Sequence, residues 1–285
     1  MNKVYACING LANTAAVIDW AAWSALRLDA PLELLHVLER SPKPPQINDF
    51  SGAIGLGAQE DLLEQLSTLD AQRGKLAQEV GWQLLASARV RAAACGVQRL
   101  DVRLRHGELI DAVLEMEPDV RLYVLGEHYH ATDTSKIHLD HHVERVIRAV
   151  KRPVLVSTGQ AFETPERFVM AFDGSPTARK TIDTVARSPL LKGLPVLVAM
   201  AGTDTALARQ QLEDARLALA GAGFDATVRL EPGEPEEVLP ALIKAQGASL
   251  LVMGAYGTSR IRQLIVGSTT TTLLRLSEVP VLILR

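Results

Sequence analysis

Apolar and polar positions along this chain come in blocks rather than in strict alternation. Short apolar runs such as Val4-Tyr5-Ala6-Cys7-Ile8, Leu122-Tyr123-Val124-Leu125 and Leu250-Leu251-Val252-Met253 are separated by longer stretches with helical spacing. In the second half the pattern predicts strands near 167–172, 194–200, 226–231, 249–253 and 280–284. Helices fall between them, near 176–188, 204–221, 235–246 and 267–276. Strands that are apolar throughout are buried on both faces, and strand–helix alternation makes them parallel in a sheet covered by helices. The same five strands can be placed in the first half. Its second helix is longer, about 59–95, and follows a loop from Ser41 to Gly57 rich in Pro and Gly.

The two halves echo each other. Val4 to Gly10 matches Phe168 to Gly174, and Val102 to Glu108 matches Val228 to Glu234. Leu122 to Gly126 matches Leu250 to Gly254, and Arg152 to Val156 matches Val279 to Ile283. Four landmarks in the same order mean two copies of one unit of about 140 residues, a period too long for a solenoid. The polar segment Ser157 to Pro165 carries the boundary. The expected organisation is therefore a domain at 1–157, a linker at 158–166 and a second domain at 167–285. The fold class is α/β, with two tandem five-stranded parallel sheets, helices on both faces and a Rossmann-like arrangement.

Composition narrows the function classes. A length of 285 residues with 47% hydrophobic and 22% charged residues suits an ordinary globular protein with room for about two domains. A net charge of −3 gives no basic footprint for nucleic acid. No apolar run nears the roughly 18 residues that span a bilayer, so no membrane role is expected. The chain opens directly on a strand, and a cytoplasmic location follows by default. Cys7 and Cys95 are too few for a disulfide framework and read as small buried apolar residues.

The most specific motif is Gly254-Ala-Tyr-Gly257, then nine residues, then Gly267-Ser268, directly after the apolar run 250–253. Glycine lets main chain approach a ligand with no Cβ in the way and permits positive φ where the loop folds back. Ser268, with Thr269 beside it, opens a helix whose first amides and positive dipole end favour a phosphate. With glycine at about 7% of residues, such a pattern arises by chance in about one chain in a hundred. Arg260 and Arg262 lie in the spacer, where a guanidinium group can meet phosphate oxygens or simply face solvent. Asp173 ends the first strand of the second copy. If that strand neighbours the one ending at Gly254, a carboxylate able to hold ribose hydroxyls shares a crevice with a phosphate loop. Otherwise Asp173 is a turn residue in Asp173-Gly174-Ser175-Pro176. The triplet of glycines at Gly52, Gly55 and Gly57 mimics a dinucleotide fingerprint, but no strand precedes it, and it reads as loop.

This second half resembles the universal stress protein family, whose ATP-binding signature is Gly-x2-Gly-x9-Gly-(Ser/Thr). Gly254, Gly257, Gly267 and Ser268 satisfy every position of it. Asp173-Gly174-Ser175 is similar to the family's opening turn, where the Asp contacts the adenosine part of the nucleotide. Val279 to Leu284 is similar to its last strand, which often makes dimer contacts. The resemblance covers the whole chain as a tandem member and implies the adenine nucleotide alpha hydrolase-like fold. It also implies ATP as the ligand, an adenine nucleotide held by a stress-response binding module, a homodimer as an allowed state and an unnamed protein partner.

The first copy departs from the signature. Asn9 stands where Asp173 stands, Tyr129 falls at the second glycine, and Leu139 and Asp140 replace the Gly-Ser pair. Each brings a Cβ where backbone must approach an anion, and Asp140 adds a repelling charge, so this copy is not expected to bind ATP in that way. Its loop instead holds His128, His130, His138, His141 and His142. On a helix His138 and His142 share a face and could take Zn²⁺, with Asp140 or Glu144. The expectation is that this cluster is polar and solvated, with no metal, since no cysteine joins it.

Other function classes lack their marks. Nucleotidyl transferases and ATP pyrophosphatases need a reaction-specific loop near the first strand, which Asn9-Gly10-Leu11-Ala12 and Asp173-Gly174-Ser175-Pro176 do not supply. A Gly-Lys-Ser/Thr phosphate loop is missing as well. No carboxylate or histidine in the second copy is placed to activate water, so little or no hydrolysis is expected and no catalytic residue is assigned. A nucleotide-free scaffold that binds metal or lipid under the long first-copy loop is the remaining class.

Overall fold

In the computed structural model the described residues are 2–39, 56–126, 141–159, 161–255 and 268–285. The first half runs β1 (Lys3–Ile8), α1 (Thr14–Leu28), β2 (Leu32–Leu38), α2 (Leu56–Ala94), β3 (Leu100–His106), α3 (Leu109–Met116), β4 (Val120–Gly126), α4 (His141–Ala149) and β5 (Val154–Ser157). The second repeats it as β6 (Phe168–Ala171), α5 (Pro176–Arg187), β7 (Val196–Ala201), α6 (Ala206–Gly221), β8 (Ala226–Glu231), α7 (Pro235–Gln246), β9 (Leu251–Gly254), α8 (Ser268–Leu276) and β10 (Val281–Leu284). Every second-half element falls within two residues of its expected bounds.

Local chemistry explains those bounds. Ser175 caps α5 by accepting the Ala178 amide at 3.1 Å, and Pro176 sits just inside the helix, where its missing N–H costs nothing. Thr205 caps α6 the same way, from the Ala208 amide at 3.1 Å. Gly247 ends α7 at φ +56, a left-handed conformation that glycine adopts without a Cβ penalty.

The strands form one ten-stranded sheet in the order β3-β2-β1-β4-β5-β10-β9-β6-β7-β8. Within each half all neighbours are parallel, and only the β5–β10 pair is antiparallel. The two expected sheets are therefore joined edge to edge, with Val281 opposite Val156 and Ile283 opposite Val154. One face is covered by α1, α2, α5 and α6 over a core that includes Trp20, Leu34, Val124, Leu155, Phe168 and Leu282. The other face carries α3, α4, α7 and α8 over Tyr123, Val156, Val169 and Ile283. Each core runs under both halves.

Candidate functional site

In a parallel sheet of this order the chain leaves β6 toward β7 on one side and returns to β9 on the other. β6 pairs β9 directly, Val169 opposite Leu251 and Met170 opposite Val252. The carboxyl ends of these two strands border the crevice where such sheets hold ligands. Asp173 lies just past β6 and is exposed. Its Oδ1 accepts the Ser175 amide at 3.0 Å across Gly174, whose φ is +72. Gly174 is doubly constrained, because a Cβ there would also sit 2.9 Å from Gln211 Cδ on α6.

Gly254 ends β9 beside this turn. A Cβ on Gly254 would lie 3.1 Å from Thr177 Cγ2 and 3.3 Å from Thr181 Oγ1, so α5 packs directly on the end of the strand. The first half shows the same device more strongly: a Cβ at Gly126 would lie 2.8 Å from both Asn13 Cγ and Val17 Cγ2 on α1 and the residue before it. Glycine at this position thus has a packing cause independent of any ligand. That cause accounts for its presence in the half that lacks the rest of the signature. α8 begins at Ser268, and the buried Thr270 hydroxyl reaches the Ala255 carbonyl at 3.5 Å, which sets the start of the helix against the end of β9. Of the residues expected at the site, Asp173, Gly254, Ser268 and Thr269 are thereby located on the backbone. Gly257, Arg260, Arg262 and Gly267 lie outside the described residues.

The corresponding cleft in the first half has a different lining. β1 pairs β4, and Asn9 Oδ1 accepts the Leu11 amide at 3.2 Å, as Asp173 does for Ser175. A cavity of about 310 Å³ opens here between Ile8, Leu35, Leu109, Leu125 and Val143. Its polar groups are Asn9, His36, Glu39 and His142. His36 donates from Nδ1 to the Ile8 carbonyl (2.8 Å), and His142 Nδ1 lies 3.3 Å from Glu39 Oε1. Sequence reasoning passes over His36 and Glu39, because only the pairing of β1 with β2 brings them here. His128, His130, His138, Tyr129, Leu139 and Asp140 lie outside the described residues, as do Gly52 and Gly55. Among the described residues no group of three or more His, Cys, Asp or Glu side chains is placed to share a metal ion. No helix among them is long and apolar enough to cross a membrane.

The cysteines divide. Cys7 is buried beneath this cleft, and burial pushes its thiol up to about 12. Cys95 is exposed, contrary to the expectation from residue type, because it follows α2 beyond the core and faces Asp19, with Sγ to Oδ1 at 3.6 Å. Burial and then the Asp19 carboxylate raise its pKa.

Comparison with known proteins decides the family. The profile of the universal stress protein family matches the chain twice, over residues 1–157 and 165–285. The chain belongs to the universal stress protein family. Universal stress protein Slr1230 of Synechocystis is 33% identical to it over 288 residues, covering all of both chains. Among solved structures, a universal stress protein from Archaeoglobus fulgidus superposes with a TM-score of 0.72 at 17% identity, covering all of this chain and 96% of its own. One from Pseudomonas aeruginosa gives 0.61 at 16% identity, over 100% and 93%. These last two likenesses concern the fold, and they span the paired halves. As a universal stress protein the chain carries two copies of the family unit whose strand-end clefts have diverged in chemistry. One is bordered by Asp173 and Gly254, the other by Asn9, Glu39 and two histidines.

Proposed function

We propose that this chain binds one adenine nucleotide, ATP, in the second-half cleft and acts as a stress-response binding and signalling module with little or no hydrolysis. In this reading residues 167–285 form the nucleotide-binding domain, 158–166 a linker and 1–157 a domain that has lost the family's nucleotide mode. Asp173 takes the ribose hydroxyls. The backbone at Gly254, Gly257 and Gly267 and the helix start at Ser268 and Thr269 hold the phosphates, with Arg260 countering their charge.

The observation that carries the proposal is that Gly254 ends β9 and Asp173 lies two residues past the end of the adjacent parallel strand β6, at the point where the strand order reverses. An accepting carboxylate and a main-chain anion site then border the same crevice from neighbouring strands, an arrangement that suits sugar and phosphate. All seven histidines fall in the first half, so the second-half cleft has no imidazole to activate water, which supports slow or absent hydrolysis. The acidic Glu39 in the first-half cleft disfavours a polyphosphate there. A cytoplasmic setting suits a free nucleotide ligand.

Mass spectrometry of nucleotide released from purified protein tests the ligand's identity, and ATP is the expected species. Asp173→Ala is expected to weaken ATP about tenfold, the loss of one or two hydrogen bonds to a charged group, while inorganic triphosphate binding hardly changes. Equal losses for both ligands would remove Asp173 from the sugar. Gly257→Val is expected to abolish binding in a folded protein, and unchanged affinity would take the phosphate off that loop.

A further inference from the structure

β10 runs antiparallel to β5, so its last residues come beside the start of the first-half strands, with Ile283 opposite Val154. Here the ends of α1 and α5 meet across the seam. Arg27 of α1 donates from Nε to the Leu190 carbonyl at 3.0 Å, which fixes the segment after α5 against the first half. Between these elements lies a cleft of about 390 Å³, within the size range of small-molecule sites.

Three guanidinium groups line this cleft, Arg121, Arg152 and Arg187, and its lining contains no carboxylate. Arg121 is the extra residue where the β1–β4 register shifts, Lys3 facing Val120 and Val4 facing Leu122. Such a bulge re-aims the inserted side chain. Arg152 is oriented by the Glu117 carbonyl (3.2 Å from Nε) and the Pro118 carbonyl at 3.4 Å. Arg187 donates from Nε to the Asp183 carbonyl at 3.1 Å. Among the described residues none of the three makes an ion pair. The C-terminal ends of α1 and α5 together contribute about one negative charge, which three full positive charges outweigh. The Ser188 hydroxyl accepts the Leu190 amide at 3.3 Å and keeps its own O–H as a neutral donor, whereas that of Thr184 is taken by the Lys180 carbonyl at 2.8 Å. Opposite them the wall is apolar and buried, made of Leu28, Leu122, Leu282 and Leu284.

We propose that this seam cleft is a second ligand site, distinct from the nucleotide cleft, that takes a small phosphate monoester with an aliphatic body. Guanidinium groups arriving from three separate elements suit the three terminal oxygens of a phosphate better than the single plane of a carboxylate. The leucine wall rewards an alkyl group, which inorganic phosphate lacks. The lining comes from both halves, Leu28, Arg121 and Arg152 from the first and Arg187, Leu282 and Leu284 from the second, so occupancy would tie the two halves together.

The test is calorimetric titration of the full chain with octyl phosphate below its micelle concentration. One site per chain is expected, at least about tenfold tighter than inorganic phosphate and unaffected by saturating ATP. Arg121→Gln and Arg187→Gln alter exposed side chains and should leave the fold intact. Each should weaken octyl phosphate about tenfold. Displacement by ATP, an affinity no better than that of inorganic phosphate, or binding unchanged in both variants would overturn the proposal.

Discussion

Glu33 is the one fully buried ionised side chain among the described residues, with 1% of its side chain exposed near the start of β2. Lys3 donates to its Oε2 at 2.8 Å, and Arg103 donates to Oε1 from the neighbouring strand β3. Burial alone would raise its pKa, but the hydrogen bonds from Lys3 and Arg103 together win and hold it below the usual carboxylate range. A depressed carboxyl stabilises the fold above its unfolded pKa, near 4.3, and that contribution fades as pH falls through the folded value. Glu33→Gln should therefore flatten the acid limb of the stability curve below about pH 4.3, measured by urea unfolding across pH. At pH 7 Glu33→Ala should cost about 2 kcal/mol, since Arg103 loses its carboxylate while Lys3 keeps only Asp101, at 2.9 Å, and both cations are partly solvated. A variant with wild-type stability at both pH values would show that the cluster contributes nothing.

Gly126 and Gly254 separate two reasons for a glycine. Sequence reasoning assigns this position to ligand approach, because the glycine spacing is visible in the chain while the helix packed against it is not. The contacts assign it at least as much to the helix that follows the first strand, more tightly at Gly126. Gly126→Ala should destabilise by about 1–3 kcal/mol through overpacking against Asn13 and Val17. Gly254→Ala should cost less, because Thr177 needs to give by only a few tenths of an ångström. Equal midpoint shifts for the two variants in chemical unfolding would contradict this ranking.

Among the elements, α2 is the clearest case of one helix with two environments. Its C-terminal part buries Leu85, Ala88 and Ala92 in the core beside α1, β2 and β3, whereas residues 65–80 are all exposed. A helix without tertiary contacts is marginal in water, so amides of 65–80 should exchange with deuterium faster than those of 85–92. Uniform protection along α2 would point to a partner covering the exposed part. Most element bounds were legible because punctuation is local. Proline at the start of α5 and α7, hydroxyl caps on α5 and α6 and apolar runs in the strands all act within a few residues. The exposure of 65–80 was not legible, since helical spacing continues there unchanged while the surface it would cover lies elsewhere.

At the scale of the whole molecule, the seam governs the shape. The repeat and the parallel sheets could be read from matching segments, and the final strands are apolar enough to be buried. The sequence does not encode in any local pattern that β5 and β10 pair antiparallel, because pairing direction depends on how two complete halves meet. The consequence is that the first-half strand starts lie along the same side of the sheet as the second-half strand ends. Among the described residues the outermost strands are β3 and β8, so a homodimer built through the last strand of each unit would compete with the pairing already made within the chain. The divergence of the two clefts also belongs to this scale, with histidine and Glu39 confined to one half and the complete glycine pattern to the other.

The stoichiometry of ATP binding to the full chain, measured by titration calorimetry, tests the central claim most directly. One site per chain is expected, strongly weakened by Asp173→Ala and unchanged by Asn9→Ala, because only the second half carries both Asp173 and the full glycine pattern in its sequence. Two equivalent sites, or no binding by a protein shown to be folded, would contradict it.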